Sequence, residues 1–431
     1  MTRPTRPAPR RALASWCLFD WANQGYPTVI ETFIFATFFT QAVAVSPVVG
    51  TTQWGYAVAG AGAMIVLLSP ILGAIADRGG RLKPWLMVLS GLCVTCIAML
   101  WFTKPSPDYV IWALVFFAMS ALTYELAVVF YNAMLPTLVP QSRLGRLSGW
   151  GWATGYAGGL ASLVFILYGF VEAEQPLFGV SREEAENVRV AVLVVAAWWI
   201  VFSIPLFLFA PDKPATGIRT REAIRDGIAG LLNTLRNIRQ HRHVARFLVA
   251  RTIYNDGLNT LFAFGAIYAA GTFGMDTAEV IKFGIALNIT AGLGALSFSW
   301  IDDYIGSKPT ILLGLICLTV LGGTLLLIES VTWFWILGCA LGIFFGPVQS
   351  ASRALMARLA PPDLTAEMFG LYALSGKIVA FMGPLVLALV TDVFDSQRAG
   401  MATIVVFFVV GFAILLGVHE PRSRPDSEAA P

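Results

Sequence analysis

Apolar residues fall in runs of around 20, the length a helix needs to cross the hydrocarbon core of a bilayer. The runs lie near 14–44, 53–76, 85–103, 109–136, 147–170, 190–210, 245–270, 279–301, 309–328, 332–356, 367–391 and 400–418, numbered here as spans 1 to 12. The longest hydrophilic stretch is 211–244. Pro211, Pro214 and Gly217 open it as a linker. Ile224, Ile228, Leu231, Leu232, Leu235 and Ile238 then recur at helical spacing, with Arg225, Arg236 and Arg239 between them. That pattern predicts a connector helix lying on the inner membrane surface. The whole predicts an all-α membrane protein of twelve transmembrane helices, a six-helix half at 1–210, a linker at 211–244 and a second six-helix half at 245–431.

Composition agrees: hydrophobic residues make up 57% of the 431 and charged residues only 13%, about half the charged share of a soluble domain. Charge also sets the orientation. With the N-terminus in the cytoplasm, 22 of the 29 lysines and arginines fall on the inner side, so the positive-inside rule places both termini in the cytoplasm. The Arg-rich start precedes a span too long for a signal-peptide core, so it reads as a retained anchor. A net charge of +3, dispersed along the chain, gives no nucleic-acid signal. Cys93 and Cys96 spell CxxC inside an apolar helix, which is not a redox or metal setting.

Landmarks recur in order across the two halves. Asp20 and Asn23 in span 1 match Asp256 and Asn259 in span 7. An Asp and an Asn at i and i+3 share one helix face, and a charge within a span costs about 3 kcal/mol, which makes it a functional candidate. The two faces are expected to meet across a pathway. The loop after span 2 reads Asp77-Arg-Gly-Gly80 and the loop after span 8 reads Asp303-Tyr-Ile-Gly306. Pro140 precedes Gly149 by nine residues, as Pro361 precedes Gly370. Paired six-span halves are an architecture of secondary transporters, with the substrate site near the midplane between them.

The loop after span 2, Gly73-Ala-Ile-Ala-Asp77-Arg78-Gly-Gly80-Arg81-Leu-Lys83, resembles the signature loop of the major facilitator superfamily, Gly-x3-Asp-Arg-x-Gly-Arg-x-Lys. Physically, Gly73 permits close helix approach, Asp77 can accept from a helix N-terminus or an Arg, and Arg78 and Arg81 can hold an ion-pair latch. The resemblance implies a gate at the inner mouth. In the second half Ser299 stands for the leading Gly and Tyr304 for the Arg, so that latch reads as degraded.

A closer resemblance rests on Trp16-Cys-Leu-Phe-Asp20-Trp21-Ala22-Asn23-Gln-Gly25-Tyr26, Phe130-Tyr131-Asn132-Ala133-Met-Leu-Pro136, Tyr254-Asn255-Asp256-Gly257 and Phe369-Gly370-Leu371-Tyr372-Ala-Leu-Ser375-Gly376-Lys377. Together they look like the bacterial relatives of the autophagy-associated vacuolar effluxer family, a branch of the major facilitator superfamily. The resemblance implies the major facilitator fold and a bacterial inner (plasma) membrane location. Because fungal members export amino acids from the vacuole, it also implies amino acids as a substrate class.

Polar residues inside spans supply the candidate substrate or coupling site: Asp20, Asn23 and Tyr26; Glu125, Tyr131 and Asn132; Arg251, Asn255, Asp256 and Asn259; and Lys377. Gly25 and Pro27 are free to break span 1, which is tolerable beside a water-filled cavity. Glu125 stands eleven residues from Pro136, about 16 Å by helical rise, and Lys377 lies about as deep. An amino acid offers a carboxylate and an ammonium, so a cavity presenting Arg251 or Lys377 together with Asp20, Glu125 or Asp256 would fit it. The same charges can equally form structural ties between helices. All three histidines lie in cytoplasmic segments, so a transported proton would ride on a buried carboxylate; Glu125, Asp20 and Asp256 are the candidates.

The resulting expectation is a secondary active transporter that moves a small solute by alternating access, coupled to protons and acting as a monomer in lipid. No cofactor or metal is expected. A membrane enzyme finds no HExxH, G-x-S-x-G or His/Cys cluster in this sequence. The alternative is a receptor or scaffold built on the same fold.

Overall fold

The computed structural model describes residues 4–421, and these fold as helices in the predicted order. Ten of the helices are long and apolar enough to cross a membrane: Pro47–Gly79, Lys83–Phe102, Pro107–Leu138, Gln141–Val171, Glu183–Phe209, Glu279–Ile305, Ser307–Leu325, Val331–Leu359, Pro362–Phe394 and Gln397–Leu416. The remaining two are spans 1 and 7, which carry the duplicated Asp-x-x-Asn pairs. Span 7 is one helix, Arg242–Phe273, diluted by its polar residues. Span 1 is helical over Arg10–Asn23 and then widens into a π-helical stretch, Tyr26–Phe33. Pro27 has no N–H to give to the ladder, and the Ile34 amide donates five residues back, to the Val29 carbonyl. The predicted break is thus a widened turn rather than an unwound segment.

The twelve spans form two six-helix halves. Small residues bring the halves together at the end that carries the basic loops. A Cβ on Gly73 of span 2 would overlap the Ala366 carbonyl of span 11, and one on Gly370 of span 11 would come within 2.6 Å of Pro70 Cα. Opposite them, a Cβ on Gly149 of span 5 would lie 2.5 Å from the Ala295 carbonyl oxygen and 2.5 Å from Ser299 Cβ of span 8. Toward the other end of span 2, Gly55, Gly60 and Gly62 meet open space. The span 5 glycine cluster therefore serves two partners. Gly149 packs on span 8, while Gly155, Gly158 and Gly159 receive Gln24, Trp21 and Thr28 of span 1.

The loops at the closed end repeat one construction. Asp77 of span 2 accepts from the Glu367 amide at the start of span 11, 2.8 Å. Asp303 of span 8 accepts from the Arg146 amide at the start of span 5, 3.0 Å. Each carboxylate thus caps the N-terminus of a helix in the other half, where the helix dipole favours an anion. Asp212 accepts from the Leu82 and Lys83 amides, and Glu420 from those of Ser307 and Lys308.

These contacts revise the reading of the latch. Asp77 takes its cation from Lys213 of the linker, Nζ to Oδ1 3.6 Å, rather than from Arg78 or Arg81. The second-half loop is not degraded in its contacts. Asp303 pairs with Arg146 at 3.2 Å, Asp302 with Arg358 at 2.8 Å, and the close approach comes from Gly149 on the partner helix instead of a Gly at 299.

The linker continues this stitching. The Thr216 hydroxyl donates to the Arg78 carbonyl, 2.6 Å, and its amide to the Gly79 carbonyl, 3.2 Å. Gly80, at φ 84°, lies under the Pro214 carbonyl, where a side chain would not fit. The linker helix, Thr220–Arg236, buries Ala223, Leu231 and Thr234, with Gly227 against Ile75 of span 2. Ile224, Ile228, Leu232 and Leu235 stay exposed on its other side, a face suited to lipid.

Candidate functional site

Between the halves lies a polar cavity of about 230 Å³, lined from spans 1, 4, 5, 7, 10 and 11. Eight of the eleven predicted residues line it: Asp20, Asn23, Glu125, Asn132, Arg251, Asn255, Asn259 and Lys377. Three do not. The Tyr26 hydroxyl is 2.9 Å from Ser120 Oγ and its ring stacks on Tyr124. Tyr131 stacks on Trp16 and donates its hydroxyl to the Trp16 carbonyl, 3.0 Å. Both rings are fully buried; Tyr26 serves packing within the first half, and Tyr131 also stands beside Arg353 of the second. Asp256 turns away from Asp20: its Oδ2 accepts from the Gly383 amide, 2.6 Å, just past the break in span 11. The duplicated carboxylates therefore do not face each other across the cavity; among the duplicated residues only Asp20, Asn23 and Asn259 reach it.

Two ion pairs join the halves inside the cavity. Lys377 of span 11 pairs with Glu125 of span 4, Nζ to Oε1 2.6 Å. Each was the isolated charge of a deep apolar segment, and matched depth is what lets them meet. Glu31 of span 1 lies within electrostatic reach of both.

The second pair was not anticipated. Arg353 of span 10, 3% exposed, binds Asp20 at 3.0 Å. Its Nε donates to Ser148 Oγ at 2.9 Å, its Nη2 to the Ser148 carbonyl at 2.7 Å, and its Nη1 also to Asn132 Oδ1 at 3.4 Å. Trp16, Tyr131 and Trp152 surround the guanidinium, with ring centroids 4.9, 5.8 and 5.6 Å from Cζ. A Cβ on Gly151 would collide with this pair, 2.5 Å from Asp20 Oδ2. One side chain of the second half thus holds spans 1, 4 and 5 of the first. Arg353 falls inside 332–356, but one turn from its inner end it counted among the loop bases. Its membership of a site was visible only through Gln349, which is four residues earlier on the same face and also lines the cavity.

Arg251 is held differently. Its Nη1 donates to the Tyr372 carbonyl at 2.8 Å and to Ser375 Oγ at 2.7 Å, and its Cζ stands 3.5 Å from the Tyr372 ring centroid. Asn23 is 1% exposed, and neither atom of its amide has a partner. Such an orphaned amide beside a cavity is a group placed to meet a ligand or water. The five cysteines are unpaired, and no metal-binding group of His, Cys, Asp and Glu occurs among the described residues.

This arrangement is a polar, charge-paired chamber between two membrane-embedded halves. Solved structures share its fold. An outward-conformation structure of the major facilitator superfamily transporter FucP superposes with a TM-score of 0.72 at 15% identity, covering 95% of this chain and 99% of that one. The human organic anion transporter MFSD10 gives a TM-score of 0.71 at 14% identity, covering 94% and 99%. Among sequence relatives, an uncharacterized MFS-type transporter of Bacillus subtilis (strain 168), YxiO, is 28% identical over 417 residues, 96% of each chain. Autophagy-related protein 22-1 of Penicillium rubens is 24% identical over 307 residues, 66% of this chain and 50% of that protein; the alignment spans about half of such fungal relatives. Residues 56–428 match the family described as "Vacuole effluxer Atg22 like". This multi-pass membrane protein, a transporter of the major facilitator type, belongs to that vacuole-effluxer family.

Proposed function

We propose that the protein is a proton-coupled secondary transporter of amino acids, working by alternating access in a bacterial inner membrane with the basic loops in the cytoplasm. The charge asymmetry of the loops supports that orientation. On it, the glycine contacts and acid caps close the inner mouth, so the conformation described is outward-facing. The family's description suggests efflux from a vacuole, and the mixed charges of the cavity suit a zwitterion.

The observation that carries the reading is the Glu125–Lys377 pair at 2.6 Å, which ties span 4 to span 11 within the cavity. When two halves rock about a central site, a pair spanning them must part or exchange partners. Protonation of Glu125 releases Lys377, and Glu31, within electrostatic reach, is a second acid toward which it can turn. A substrate carboxylate or ammonium can perform the same exchange, which links solute and proton to one movement.

The test is uptake into proteoliposomes from a panel of labelled amino acids, with and without an imposed pH gradient. Wild-type protein is expected to accumulate solute only with the gradient. Glu125→Gln is expected to lose gradient-driven accumulation while retaining exchange of solute for solute. Unchanged pH dependence in that variant would remove Glu125 from the coupling. Absence of flux for every solute, with binding retained, would favour a receptor built on this fold.

The gate yields a further expectation. Lys213→Ala removes the cation beside Asp77 but leaves the helix cap intact, so closure should weaken without being lost. Removing one partner of a nearly buried pair leaves the other charge desolvated, which costs about 3–5 kcal/mol at most. Labelling of a cysteine introduced at Gln349, which lines the cavity, checks it: faster modification from the cytoplasmic face is expected, and an unchanged rate would sink the idea.

A further inference from the structure

Opposite charges in the cavity lining cancel in pairs, with one exception. Asp20 is bound to Arg353 and Glu125 to Lys377. Arg251 has no carboxylate within salt-bridge distance among the described residues, and it stands within electrostatic reach of the Lys377 ammonium. Its fork is half used. Nη1 is committed to the Tyr372 carbonyl and Ser375 Oγ, while Nε is buried without any partner. Nη2, on the same edge as Nε, also has none among the described residues. The side chain is 8% exposed and pinned between the Tyr372 ring and the backbone at Gly376, whose missing Cβ leaves the guanidinium room.

A pre-positioned Nε–Nη2 edge has the geometry of a two-point carboxylate receptor. Ordering cost is low because the stacking and the Nη1 bonds already fix the plane. Binding an anion there would satisfy an orphaned donor and relieve the repulsion between two neighbouring cations. Building on the transporter reading above, we propose that Arg251 anchors a carboxylate of the transported solute through its Nε–Nη2 edge. The rest of the solute then lies toward the Glu125–Lys377 pair and the unpartnered amide of Asn23. In an α-amino acid the ammonium is one carbon away from that carboxylate, on the side where Glu125 and Glu31 supply negative charge.

Thermal-shift titration of purified full-length protein tests this with three matched probe sets: the standard amino acids, the corresponding amino-acid amides, and the corresponding carboxylic acids lacking the amino group. Stabilisation is expected from probes with a free carboxylate and not from amides. Arg251→Gln should abolish the response. Arg251→Lys keeps the charge but loses the two-point contact, and should weaken it by about tenfold or more, the effect of one charge-assisted hydrogen bond. Both variants are compared with their own unliganded melting curves, which exposes any folding defect. Amides stabilising as well as acids, an undiminished response in Arg251→Gln, or no response to any carboxylate would each overturn the assignment. Stabilisation by carboxylates without proteoliposome flux would leave the anchor standing and defeat the transport reading. Flux of uncharged solutes alone would do the opposite.

Discussion

Arg353→Ala is expected to abolish transport and to destabilise the protein more than any other single change in the cavity. The guanidinium makes four hydrogen bonds, to Asp20, Asn132 and both oxygens of Ser148, all of them buried. Its removal leaves the Asp20 carboxylate, 6% exposed, without its cation. Breaking a buried ion pair from one side costs about 3–5 kcal/mol, because the surviving charge keeps its desolvation penalty. Asp20→Asn combined with Arg353→Ala removes that penalty and should regain much of the stability. It should not regain transport, since the tie between span 10 and spans 1, 4 and 5 is still missing. Arg353→Lys cannot reach Ser148 and Asp20 together and should behave nearly as badly as alanine. Melting curves of the single and double variants form a thermodynamic cycle that isolates the pair. Additive effects, with the double variant no more stable than Arg353→Ala, would show that Asp20 and Arg353 do not depend on each other.

The same pair shows where reading the sequence succeeds and where it stops. Span placement follows from a length requirement that the bilayer imposes on each helix separately, so it is legible without knowing any neighbour. Glu125 and Lys377 were legible for a related reason: each is a costly charge in apolar surroundings, and equal depth makes them available to one another. Arg353 is more deeply buried than either, yet it sits near the basic-loop end of its span, where a cation satisfying the topology rule looks the same as one inside a site. Asp256 failed in the opposite sense. The i, i+3 spacing fixes its helix face but not what that face meets, and its partner is an amide freed by an interruption in span 11 at 378–381. Tyr26 and Tyr131 have hydroxyls that point to function, while their stacking partners come from distant segments that no local pattern reveals. The second-half latch shows the same limit, because the glycine it needs lies on span 5 rather than in the loop motif.

Gly149→Val is expected to shift the population away from the state closed at the basic-loop end without disturbing the cavity itself. Even a bare Cβ at this position would lie 2.5 Å from the Ala295 carbonyl oxygen and from Ser299 Cβ, contacts that only separation of spans 5 and 8 can relieve. Overpacking a fitted contact costs about 1–3 kcal/mol, which corresponds to about a 5- to 150-fold change in a two-state equilibrium. The strain is confined to the closed state: once the halves part, the same side chain faces a wider gap and costs nothing comparable. Transport should therefore slow because closing becomes the unfavourable step, while probes that bind the cavity from the basic-loop side should bind more tightly. Spin labels on Arg143 and Tyr304, which flank the span 5–span 8 contact, would report a longer mean distance in the variant. Gly60→Val is the matched control, since a Cβ there meets open space. An unchanged label distance in Gly149→Val, or an equal change in Gly60→Val, would mean that close approach of spans 5 and 8 does not set the balance between the two states.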